Sequence, residues 1–225
     1  MGKIRYFLLF LLLLYSLALI SCRSAATKTE GEGEKGTTGL SAEEQDKGAL
    51  VLFQQVFDLL QDSDRKAAVP KMEALYREII TRYPKAALTQ ESYWRLVLIY
   101  LKDYDPPAYG KAEATYEEFI SRYPQSQFRR EVENDITNAY YRNGQWESLM
   151  KFCTPAVKRY IEKGKLDRPL DMFLYAEAKK NLGDTAEAVK GYKIVIALFP
   201  NSREGSMAKL RLAAIEKENK DKTIK

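Results

Sequence analysis

The chain has 225 residues, with 36 Lys and Arg against 31 Asp and Glu, and no histidine. Interspersed charges of both signs describe an ordinary solvated surface, not a nucleic-acid-binding stripe. The missing histidine removes His-based acid–base catalysis, His-containing triads and His metal sites.

Lys3 and Arg5 open the chain as a cationic segment, and residues 7–20 form an uncharged apolar run. As a helix this run is about 21 Å long at ~1.5 Å per residue. A spanning helix needs about 20 apolar residues, so the run has the length of a signal-peptide core. Leu19-Ile20-Ser21-Cys22 follows and resembles a bacterial lipobox. The resemblance implies a signal peptide over 1–21, cleavage after Ser21, and diacylglyceryl on the Cys22 thiol. Bacterial lipoproteins carry two or three acyl chains; at about 0.8 kcal/mol per buried CH₂ such an anchor is effectively permanent. Arg23, a residue other than Asp after the cysteine, implies the outer membrane by resemblance to enterobacterial lipoproteins. With Cys22 lipidated, Cys153 has no disulfide partner.

Residues 22–48 read as a lipidated cysteine followed by a flexible tether. Glycines stand at 31, 33, 36, 39 and 48, and large apolar residues are almost absent. Such a composition cannot offset its ordering entropy by burial. About 25 flexible residues reach roughly 25–30 Å.

From residue 49 the pattern is helical. The expected helices span 49–62, 68–82, 88–102, 109–122, 127–143, 146–162, 169–182, 185–198 and 203–219. Two stretches repeat the same pattern: Glu73-Ala74-Leu75-Tyr76 through Tyr83-Pro84, and Glu113-Ala114-Thr115-Tyr116 through Tyr123-Pro124. A third copy runs from Ala188 to Phe199-Pro200, and Leu149, Cys153 and Ala156 hold the same frame in a degenerate copy. A fixed period near 40 residues indicates stacked helical hairpins. Tyr76 and Ile79, like Tyr116 and Phe119, sit three apart on one helix face and should pack inward. Proline then ends each helix by pushing its predecessor out of the α region. Gly144 and Gly183 fit left-handed positions after helix ends.

These residues resemble the tetratricopeptide repeat, whose frame places a small residue, an aromatic, a second apolar residue and a proline in order. Ala112, Tyr116, Phe119 and Pro124 fill those places, as do Ala188, Tyr192, Val195 and Pro200; Met72, Tyr76, Ile79 and Pro84 match with a larger first residue. The sequence departs from the frame at the Asp105–Tyr109 insertion and at the copy around Cys153, which lacks the closing proline. The resemblance implies an all-α, right-handed superhelix of stacked hairpins over 49–220, about four repeats with a polar capping helix. In that frame the first helix of each hairpin lines a concave groove. The positions that carry over include Trp94, Asn134, Asn138, Tyr141, Arg142, Phe173 and Lys180, with Glu177 beside them. Asn side chains can hold a peptide backbone, Arg can fork onto a carboxylate, and aromatic rings supply anchors.

No phosphate loop, HExxH, CxxC or GxSxG is present. Cys153, at the aromatic position of its repeat, should be buried packing. No catalytic residue, cofactor or metal is expected, and no strand-period run supports a solute-binding α/β domain. Lipobox, tether and Tyr-Pro-ended repeats together resemble the tetratricopeptide lipoprotein of the outer-membrane β-barrel assembly machine. That resemblance implies a periplasmic scaffold, held on the outer membrane by lipid on Cys22, that binds envelope proteins or peptides and no nucleic acid. A scaffold for another envelope process (Tol-type or cell-division coordination, secretion, polysaccharide export) stays open on the residues alone.

Overall fold

Three helices stop in the same way, and the stop sets the architecture. Tyr83, Tyr123 and Phe199, each before a proline, have φ near −130° and ψ near 60°. Each donates its N–H to the carbonyl four residues back, Ile79, Phe119 or Val195, and the chain then leaves the helix. The computed structural model describes residues 39–62 and 64–223. Among them are nine helices and no strand: α1 Ala42–Asp62, α2 Arg65–Arg82, α3 Ala87–Lys102, α4 Tyr109–Arg122, α5 Arg129–Arg142, α6 Trp146–Lys163, α7 Pro169–Asn181, α8 Thr185–Leu198 and α9 Arg203–Thr223. The signal peptide, Cys22 and most of the expected tether lie outside the described residues.

The helices form four hairpins followed by α9. Each helix packs on the next in sequence. The first helices also touch one another, α1 on α3, α3 on α5, α5 on α7 and α7 on α9, whereas the backbones of α2, α4, α6 and α8 make no such contact. A close inner row and a wider outer row make a curved solenoid with the first helices inside, the tetratricopeptide-like architecture expected from the repeat.

The core runs along the array. Tyr93, Leu96, Tyr100, Ile136 and Tyr140 from the first helices meet Ile79, Phe119, Leu149, Tyr192 and Val195 from the second. Tyr76 and Tyr116 are buried as the three-residue spacing requires. Gly144 and Gly183 take positive φ, 65° and 90°, at the turns after α5 and α7.

The start of the array differs from expectation. The tether was placed through residue 48, but α1 begins at Ala42. Ser41 and Glu44 close a reciprocal cap: the Ser41 N–H donates to Glu44 Oε2 at 2.7 Å, and the Glu44 N–H donates to Ser41 Oγ at 3.3 Å. Gln45 and Asp46 then serve the next hairpin, accepting from the N–H groups of Lys85 and Ala87 at 2.9 and 2.7 Å. They satisfy donors at the start of α3 that its own helix cannot. Gly48 is a packing residue, not a tether residue: a Cβ there would stand 2.4 Å from the Tyr83 ring.

The third hairpin is irregular. Lacking the closing proline, α6 runs to Lys163, longer than α4 or α8, and ends at Gly164 with φ 65°. Pro155 lies inside it.

Candidate partner groove

The inner surface is built from α3, α5 and α7. On α5, Asn134, Asn138 and Arg142 recur every four residues and so share one face. Asn138 and Arg142 are exposed and make no hydrogen bond or ion pair among the described residues. Asn134 is half-buried, and its Oδ1 accepts from the Arg168 guanidinium at 3.3 Å. The stripe therefore offers two free polar side chains and one that is engaged across to the next hairpin.

Trp94 on α3 lies half-buried beside this stripe. Its indole N–H donates to Asp135 at 2.8 Å, its ring stacks on Phe128 at 5.7 Å, and the Arg95 guanidinium covers it at 5.0 Å. Asp135 also pairs with Lys102 at 3.3 Å. The sequence reading missed Asp135, which lies one residue from the stripe and fixes the indole. Tyr141 meets Trp146 edge-on at 5.5 Å and donates its hydroxyl to Glu177 at 2.9 Å. Lys180 on α7 is half-buried and makes no hydrogen bond or ion pair among the described residues.

Phe173 corrects the expectation. It is 2% exposed and packs on Tyr192 at 5.9 Å, so it belongs to the core between α7 and α8 and offers nothing to a partner. Its groove position was carried over from the tetratricopeptide frame, but here the ring packs on Tyr192 of α8 in the interior instead.

Glu177, 3% exposed, is the center of the C-terminal half. Its carboxylate accepts from Tyr192 on α8, from Tyr141 on α5, and from Arg211 on α9 at 2.8 and 3.1 Å. Burial pushes this carboxyl up, but the hydrogen bonds from Arg211, Tyr192 and Tyr141 and the Arg211 charge outweigh it, so the group sits below the usual carboxylate range. Sequence reasoning placed Glu177 in the groove and gave Arg211 no role. Nothing in the pattern of α9 distinguishes Arg211 from its charged neighbours.

A similar rung occurs earlier in the array. Tyr100 donates to Glu73 at 2.8 Å, with Tyr104 and Lys111 on the same carboxylate, and Tyr140 donates to Glu113. Burial pushes the Glu73 carboxyl up, but the hydrogen bonds from Tyr104, Tyr100 and Lys111 and the Lys111 charge outweigh it and lower its pKa, which makes it a poor proton acceptor. Cys153 is likewise unsuited to nucleophilic work: it is buried, and burial pushes its thiol pKa up. Among the described residues, no group of three or more Asp, Glu, Cys or His side chains could hold a metal ion. What remains open on the inner face is Asn138, Arg142, Lys180 and the rims of Trp94 and Tyr141.

Residues 45–219 match the YfiO family, described as outer membrane lipoprotein. The chain belongs to this family. No curated protein matches it. Outer membrane lipoprotein is thus its class, and among the described residues no helix is long and apolar enough to cross a membrane.

Proposed function

We propose that this protein is a non-catalytic scaffold on the periplasmic side of the outer membrane, held there by acyl chains on Cys22, and that it serves the assembly of outer-membrane β-barrel proteins. Its solenoid holds partner proteins on the inner face of α3, α5 and α7. The observation that carries this reading is the family match over residues 45–219, which takes in all but the two ends of the repeat array. The exposed, unpaired Asn138 and Arg142 support it, since polar side chains without internal partners on a concave face are available to a bound chain.

Two experiments separate the parts. Labelled palmitate should be incorporated by the wild type and lost in Cys22→Ser; retained label would remove the anchor from the account. Affinity purification from cells crosslinked intact should recover β-barrel assembly proteins. Recovery of division, secretion or polysaccharide-export proteins in their place would assign the scaffold to that process.

A further inference from the structure

The second helices α4 and α6 stand apart and leave a cavity of about 660 Å³, closed at its sides by the start of α5 and the segment leading into α7. None of the groove candidates lines it. The void has a local cause. The degenerate repeat puts Cys153 where the other copies carry Tyr76, Tyr116 and Tyr192, so a small side chain replaces a ring. Pro155, which lines the cavity, has no N–H, and the Lys151 carbonyl therefore lacks its helical partner.

The cavity has an apolar wall and a charged mouth. Ile120, Phe152 and Ala156 supply the apolar part. Of the lining cations, Arg129 is committed to Glu133 at 2.8 Å, and Arg168 to Asp171 and Glu133. Arg159 and Lys165 share one carboxylate, Asp167, at 3.5 and 3.3 Å. Arg130 and Lys151 are exposed and unpaired among the described residues; Glu117 is the one lining carboxylate in that condition, as Glu113 accepts from Tyr140. The mouth thus holds more positive charge than its own acids neutralise.

We propose that this cavity is a second docking site, separate from the inner groove, that takes an extended acidic segment of a partner protein. One apolar or aromatic side chain of the segment rests on Phe152 and Ala156, and its flanking carboxylates meet Arg130 and Lys151. An apolar wall beside unpaired cations suits a peptide that carries one apolar side chain between carboxylates. The volume falls within the roughly 300–1,000 Å³ usual for ligand sites, which admits an anchor residue and its neighbours.

The test uses the full chain purified in detergent and a fluorescein-labelled peptide, Gly-Asp-Glu-Phe-Glu-Asp-Gly, followed by anisotropy. Binding should weaken about tenfold or more in the Arg130→Glu, Lys151→Glu double variant. It should also weaken when Ser replaces the peptide's Phe, and be absent for the Lys-for-acid peptide. Both substituted residues are exposed, so the variant's thermal melt should match the wild type. As a second readout that needs no variant, the peptide with benzoylphenylalanine at the Phe position should crosslink to the 152–156 segment of α6. Equal binding by the folded double variant, equal binding of the basic peptide, or crosslinks confined to other segments would each overturn the proposal. So would displacement of the peptide by phosphatidylglycerol vesicles that bind the wild type and not the double variant, which would make the site a lipid site.

Discussion

The seam between α2 and α4 and the seam between α4 and α6 are built from successive copies of one repeat, yet one is closed and the other open. In the first, Arg77 reaches from α2 to Glu118 at 3.1 Å and to Thr115 at 2.7 Å on α4. Tyr93 adds a bond to Glu118 at 2.6 Å, and the Tyr123 hydroxyl donates to the Pro84 carbonyl. The proline that ends α2 is thus also the acceptor that fastens α4. In the second seam the contact is a ring pair, Tyr116 on Phe152 at 5.4 Å, and the Tyr116 hydroxyl turns to Glu133 on α5. The third hairpin has no helix-ending Tyr-Pro and no aromatic at Cys153. Where the repeat pattern holds, the outer row is bridged; where it lapses, the outer row parts and leaves a cavity.

Breaking the most heavily bridged point should have the largest effect. Glu177→Ala strips the shared acceptor from Tyr141, Tyr192 and Arg211 and should cost about 2–3 kcal/mol in chemical unfolding, mostly from the buried hydroxyls left without an acceptor, since Arg211 is itself more than a third exposed. The same carboxyl gives a pH signature. Its folded pKa is depressed, so its stabilisation is complete above the unfolded value and is lost as pH falls through the folded one. Between roughly pH 5 and pH 3 the wild type should therefore lose more stability than Glu177→Gln; parallel acid limbs would contradict this. Opening the closed seam comes next. Glu118→Ala should cost about 1–2 kcal/mol, discounted because both Glu118 and Arg77 are about a third exposed.

At the open seam the sign should reverse. Pro155→Ala restores the bond to the Lys151 carbonyl and should raise stability by about 1 kcal/mol or more. A loss of stability there would mean that the irregular hairpin is shaped around its proline. The smallest effect belongs to the groove: the Asn138→Ala, Arg142→Ala double variant should melt within about 0.5 kcal/mol of the wild type, since neither side chain has an internal partner.

The same contrast explains what could be read from the residues alone. Helix ends were legible at the Tyr-Pro and Phe-Pro steps and at Gly144 and Gly183, where local chemistry stops a helix regardless of its surroundings. The rungs from Glu73 to Tyr100 and from Glu113 to Tyr140 span 27 residues each, and both members recur at the repeat period. The first turns of α1 were missed although Ser41-Ala-Glu-Glu44 carries a cap signature, because Gly48 and the charged composition read as tether. The reason for Gly48 is the Tyr83 ring, a contact between hairpins that no local pattern contains. Phe173 and Glu177 failed for a related reason. The repeat frame places a residue on a helix face, but the neighbours Tyr192 and Arg211 decide whether that face is open.

Partners held on the inner face should be captured there by crosslinking. A photoreactive amino acid placed at Asn138 or Arg142 on α5 in intact cells should give adducts with β-barrel assembly proteins, while the same label at Lys193, exposed on the second helix α8, should give few. Absence of adducts from both α5 positions, or equal adducts from Lys193, would contradict it.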